Sequence, residues 1–165
     1  MASSKHREIL RSGAPAPDFR LPELANGEVS LREQLAHGPV LLAFFKVSCP
    51  VCQLTLPILE RIASRRKDQS AAFFGISQDD AEDTHDFNRR FGVKFPTLLD
   101  SEESGFPVSN AYGISSVPTL FRVEPDGKIS WVLEGFSRRE IQALGERQGV
   151  NPYHPGENLP EWKAG

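Results

Sequence analysis

The run Val40 to Phe45, VLLAFF, constrains the fold of this chain more than any other stretch. Consecutive apolar side chains without alternation mark a strand covered on both faces, and such strands belong to sheets with helices packed on either side. His37-Gly38-Pro39 breaks the chain just before the run, and Cys49 and Cys52, the only cysteines, follow just after it. At 165 residues the length suits one domain, in which roughly 70% of the unfolded surface can be buried without a cystine framework.

Around that strand the pattern alternates. Residues 1–13 are polar and read as a short helix or a loose arm. The proline-punctuated stretch 14–24 suits an edge strand or an extended lead-in. Asn26-Gly27-Glu28 is a turn signal, and VSLREQL after it suits a short strand passing into a helical turn. QLTLPILERIASRRKD, after the cysteines, puts Leu54, Ile58, Leu59 and Ile62 on one helical face. Glu60, Arg61, Arg65 and Arg66 fall on the other, and Pro57 inside the pattern should kink the helix. AAFFGIS (71–77) is a second buried strand, and DDAEDTHDFNRRFGV a helix with acidic residues in its first turn and Gly92 near its end. FPTLLD (95–100) is a short strand, followed by a loop over 101–114 with one helical turn. VPTLFRVEPDGKISWVLEGF holds two strands around Asp126-Gly127, and Ser137 with Glu140 caps a final helix over 137–149. The proline-rich remainder either packs back through Tyr153, Leu159 and Trp162 or stays disordered.

This order predicts an α/β fold: parallel strands joined by right-handed crossovers, with a closing hairpin that makes the sheet mixed. A net charge of −3 with interspersed signs argues against nucleic-acid binding as the main task. The start MASSKHREIL has no apolar core of a secretory signal, and no run approaches a membrane span. The expectation is a cytoplasmic protein with no membrane partner; no particular oligomer is indicated.

Three readings of the cysteine pair compete. Cytoplasmic thiols are kept reduced, so a vicinal pair there is more often catalytic or metal-binding than structural. A closed zinc site needs four ligands, and His6, His37, His85 and His154 are scattered without ligand spacing. Two inert core cysteines would not explain a CxxC at a strand–helix junction. A redox dithiol would. Helix N-termini favour an anion such as a thiolate by up to about 2 kcal/mol, and one helical turn brings the second sulfur to the first. Cys49 then becomes the exposed nucleophile and Cys52 the buried resolving thiol. Pro50 suits the first helical position, while Lys46 either adds positive charge near Cys49 or simply faces solvent.

VLLAFFKVSCPVCQLTLPILERI resembles the active-site strand and helix of the thioredoxin superfamily, and YGISSVPTLFRVEPDGKISWVLEGF resembles the second half of that fold. The spacer from AAFFGISQDD to FPTLLDSEESG looks like the insert of the redoxin branch, which holds TlpA- and ResA-like oxidoreductases and, more distantly, peroxiredoxins of the AhpC/TSA type. The resemblance implies a thioredoxin-like sandwich, with helices on both faces of a mixed central sheet, over residues 14–149. It makes 1–13 an N-terminal arm and 150–165 a tail. It also implies thiol–disulfide exchange on protein disulfides by a redox-active Cys49–Cys52 pair, flanking Pro50 and Val51, and a recycling reductant or oxidant. No cofactor or metal is implied. By the same resemblance Pro118 is cis, lies between Val117 and Thr119, and faces the dithiol, leaving the Val117 backbone free to pair with a client strand.

Two departures stand out. The buried acid that thioredoxin carries six residues before its first cysteine is Ala43 here, leaving Lys46, Glu124 or a water for its proton-accepting task. The peroxiredoxin pattern Pro-x-x-x-Thr/Ser-x-x-Cys fails as well: counting back from Cys49 meets Lys46 and Leu42, and from Cys52 Cys49 and Phe45. Arg122 is the candidate for that family's activating arginine, or else an outward strand residue. An antioxidant thiol peroxidase is thus the alternative enzyme, and a non-enzymatic thioredoxin-fold adaptor the alternative outside catalysis.

Overall fold

The computed structural model describes residues 8–66 and 71–165. Its elements run β1 (Arg20–Pro22), β2 (Glu28–Ser30), α1 (Leu31–Leu35), β3 (Val40–Phe45), α2 (Pro50–Arg65), β4 (Ala72–Ser77) and α3 (Ala81–Phe91). They continue through β5 (Thr97–Leu99), α4 (Pro107–Tyr112), β6 (Thr119–Val123), β7 (Ile129–Glu134), β8 (Phe136–Ser137), α5 (Arg138–Arg147) and β9 (Trp162–Lys163). The central sheet has five strands in the order β5-β4-β3-β6-β7. β3 is parallel to β4 and antiparallel to β6, so the sheet is mixed as the alternation requires.

Every residue of β3 is buried, and its two faces carry separate aromatic clusters. Phe44 packs on Tyr112 of α4 and on Phe121, with ring centroids 5.4 and 5.7 Å away. Phe45, pointing the other way, meets Phe87 of α3 at 5.1 Å, and Phe87 meets Phe91 at 4.7 Å. Apolar cover on both sides is what an uninterrupted apolar run demands.

Local signals set the ends of the helices. Asp80 Oδ1 accepts from Asp83 N–H at the start of α3, and Gly92 closes it at φ +70. Ser137 accepts from Glu140 N–H at the start of α5. Buried Asp100 takes the N–H groups of Val108 and Ser109 at 3.2 and 2.6 Å, which starts α4 within the expected loop. Pro57 lies inside α2, which continues to Arg65; the expected helical residues 67 and 68 lie outside the described residues.

Two expectations need correction, and one contact goes beyond what periodicity shows. Residues 8–13 are neither helical nor loose: Leu10 N–H reaches Tyr112 O and Gly13 N–H reaches Ile129 O, at 3.2 and 2.7 Å. Arg61, on the polar face of α2, is covered by the tail. Both its terminal nitrogens hold Glu157 at 2.8 Å, and one also reaches Pro152 O, so the tail packs on α2. Trp162 is no anchor, being 61% exposed; it is the backbone of β9 that docks, antiparallel to β8.

Candidate active site

β3 delivers the chain to a turn over Lys46–Cys49, closed by Cys49 N–H to Lys46 O at 3.3 Å. α2 starts at once, with Pro50 in its first turn, where a missing N–H costs nothing. Cys49 is the N-cap, in extended conformation, and its Sγ accepts the Cys52 N–H at 3.1 Å. A sulfur therefore occupies the place an oxygen usually takes at a helix start, where unpaired N–H groups favour negative charge. The same Sγ lies 3.3 Å from the Val117 carbonyl oxygen, to which the thiol donates.

Cys52 lies one turn inside and is wholly buried. Removal from water pushes its thiol far above the ordinary range, and the hydrogen bond to Cys49 raises it further, opposed by a backbone hydrogen bond from Lys46. Both cysteines are free thiols. Cys49 is thus partly buried at the helix start, while Cys52 is sealed, with its thiol pushed toward the protonated form.

The expected residues converge around them. Val117–Pro118 is a cis peptide bond, and the hydrogen bond from Cys49 sets it against the dithiol. Thr119 is buried at the start of β6, opposite Phe44, with its hydroxyl on Ser116 O at 2.8 Å. Val51 is half-buried and Pro50 exposed. Lys46 contributes its backbone, and its side chain is exposed. The Val117 backbone is not free as expected. Its carbonyl holds the Cys49 thiol, and Gly165 lies against it so closely that a Cβ there would sit 2.3 Å from that oxygen.

Glu124 is excluded as proton acceptor, because it follows the far end of β6 and is bound to Arg122 and Ser130 at 2.8 and 2.7 Å. The same ion pair occupies Arg122, whose strand position opposite Leu41 is remote from the end that carries the cysteines. The carboxylate beside the dithiol is Asp79. It accepts Val47 N–H at 2.8 Å, and its charge also raises the Cys52 thiol. Sequence reasoning missed it. The signal was the parallel pairing of β3 with β4, which sets Phe45 opposite Ser77 and so carries the residues after each strand to the same edge. Among the described residues no cluster of three or more His, Cys, Asp or Glu could hold a metal ion.

Residues 12–132 match the sequence profile of the AhpC/TSA family. The chain belongs to that family. The thiol-disulfide oxidoreductase ResA of Halalkalibacterium halodurans is 32% identical over 130 residues, 78% of this chain and 72% of that protein. ResA of Bacillus subtilis is 28% identical over 78% of this chain and 70% of its own length. The thioredoxin domain of a thiol-disulfide oxidoreductase from Bacteroides vulgatus superposes with a TM-score of 0.73 at 24% identity, covering 84% of this chain and 97% of that one. That last likeness shows the thioredoxin fold. With the paired thiols at the helix start and the ResA relatives, this AhpC/TSA member is a thiol–disulfide oxidoreductase of the redoxin branch.

Proposed function

We propose that Cys49 is the attacking thiol and Cys52 the resolving thiol of an exchange reaction on protein disulfides. The observation that carries this assignment is the asymmetry of the pair, with Cys49 only partly buried at the helix N-cap and Cys52 wholly buried one turn inside. Ionised Cys49 attacks one sulfur of a client disulfide; that S–S bond breaks, a Cys49–client disulfide forms, and the other client sulfur leaves as a thiolate that takes a proton from water. Cys52 then loses its proton and attacks the Cys49 sulfur, releasing the second client thiol and forming the Cys49–Cys52 disulfide. Two electrons pass to the client, and a partner dithiol restores the pair. The reverse sequence oxidises a client.

A sealed, protonated Cys52 cannot attack until it gives up its proton. Asp79 supplies the acceptor in this scheme, replacing the acid that is absent at Ala43. Its support is the single carboxylate charge acting on Cys52 and its tether on Val47. The proposal keeps the cytoplasmic setting, supported by the devotion of both cysteines to the redox pair, with none spent on a structural disulfide.

Disulfide exchange is favoured over peroxide reduction because the position three residues before each cysteine carries no hydroxyl. Loss of one donor to a developing anion typically costs ~10²–10³ in rate. The test is insulin reduction with dithiothreitol beside hydrogen peroxide consumption with a recycling system. Insulin reduction should be the faster and should need Cys49. Peroxide turnover that survives Cys52→Ser and matches the insulin rate would sink the assignment. The potential of the pair then sets direction: about −270 mV suits a reductant and about −120 mV an oxidant.

A further inference from the structure

The C-terminal segment is a strap with a firm base and a light tip. At the base, Pro152 is buried, Arg61 grips Glu157 through two hydrogen bonds of 2.8 Å, and the Tyr153 hydroxyl donates to Arg138 O. From there the chain returns along β8: Arg138 N–H meets Glu161 O at 3.0 Å, Ser137 pairs with Trp162, and Phe136 pairs with Lys163. Residues 161–165 are all exposed, and their ladder is two residue pairs long.

The tip ends on the active site. Gly135 stands at φ +78 with its N–H on Pro118 O, and a Cβ there would fall 2.3 Å from Lys163 O. A Cβ on Gly165 would fall 2.3 Å from Val117 O and 3.3 Å from Pro118 N. Two glycines thus let an extended backbone lie flat between β8 and the cis-proline loop. There it touches the carbonyl that also holds the Cys49 thiol.

We infer that residues 161–165 are an intramolecular occupant of the strand-docking edge beside Cys49, a cover that an extended client strand has to displace. The inference rests on the thiol–disulfide exchange reading and adds the segment of this chain that covers the client edge. The seated segment shows what the edge accepts: an extended strand antiparallel to β8, with glycine at the register of Val117 because a Cβ has no room. A short exposed ladder opens at low free-energy cost, and strand addition supplies the main-chain hydrogen bonds that replace it. A folded surface or a small disulfide does neither. On this inference small reagents reach partly buried Cys49 with the strap in place, whereas a polypeptide has to move it.

The test uses the full chain carrying Cys52→Ser, loaded at Cys49 either with an extended cysteine-containing peptide or with β-mercaptoethanol. Amide hydrogen exchange is then followed at residues 161–165. The peptide adduct should speed exchange there at least tenfold, and the small adduct should leave it within twofold of the free protein. Equal protection in both adducts overturns the inference. Failure to form either adduct overturns the exchange reading, and this inference with it. In the intact dithiol protein, Gly165→Val should speed insulin reduction severalfold and leave the rate with a small aromatic disulfide within twofold. Equal acceleration of both reactions, or none of insulin reduction, overturns it as well.

Discussion

The β3–α2 junction and the C-terminal strap both converge on Cys49, yet they are built in opposite ways. At the junction the contacts are short in sequence: Cys49 Sγ takes an N–H three residues on, and the helix behind it buries Leu56, Ile58, Leu59 and Ile62. The strap is held by groups of other elements, the Arg61 side chain of α2 for Glu157 and the Arg138 carbonyl of α5 for Tyr153, with its tip exposed. The difference separates two tasks. A nucleophile needs a rigid mount that orders with its own helix, while a client edge needs a surface that can be vacated.

That contrast predicts unequal penalties. Leu56→Ala removes a wholly buried side chain from the mount and should cost about 2–5 kcal/mol of stability. Trp162→Ala, at an exposed strap position, should stay within about 0.5 kcal/mol. Urea titrations of both variants compare the two regions directly, and similar losses would break the comparison.

The chemistry of the mount is next in size. Asp79→Asn removes the negative charge that raises Cys52, so the pH at which Cys52 ionises should fall. If Asp79 also takes the proton, resolution of a preformed Cys49 mixed disulfide should slow by on the order of 10² at neutral pH. A purely structural role would shift the pH profile without slowing the step, and stopped-flow resolution across pH tells these apart.

The strap's base comes third. Arg61→Ala removes two charge-assisted hydrogen bonds to Glu157 and should cost about 1–3 kcal/mol, with alkylation of Cys49 by iodoacetamide unchanged. The smallest effect is one of pH. The Arg61 guanidinium holds the Glu157 carboxyl below its ordinary value. That stabilisation is therefore present above the ordinary carboxylate range and is lost as pH falls through the depressed folded value. Acid titration of the wild type against Glu157→Gln should show a wild-type advantage at neutral pH that disappears at that acid end.

What could be read in advance follows the same division. Val40–Phe45, the cysteines at the helix start, the cap at Ser137 and the hairpin around Gly127 are local patterns, and each stands where its residues put it. The cis-proline and the sandwich followed from the resemblance carried by those same stretches. Asp79 was missed because its nearness to Cys52 depends on strand register, not on spacing along the chain. The partner of Arg61 was not legible, since helical periodicity shows which face is polar and says nothing of a carboxylate 96 positions on that covers it. Trp162 was misread because aromatic character suggested packing, whereas β9 docks through its main chain.

The central claim is the division of labour between the two sulfurs, and trapping tests it most directly. Each serine variant is mixed with an unfolded, disulfide-containing protein, quenched with acid and read by mass spectrometry for mixed disulfides. Cys52→Ser should accumulate a stable adduct on Cys49, while Cys49→Ser, left with a buried and protonated thiol, should accumulate almost none. Faster adduct formation by Cys49→Ser, on Cys52, would contradict the account.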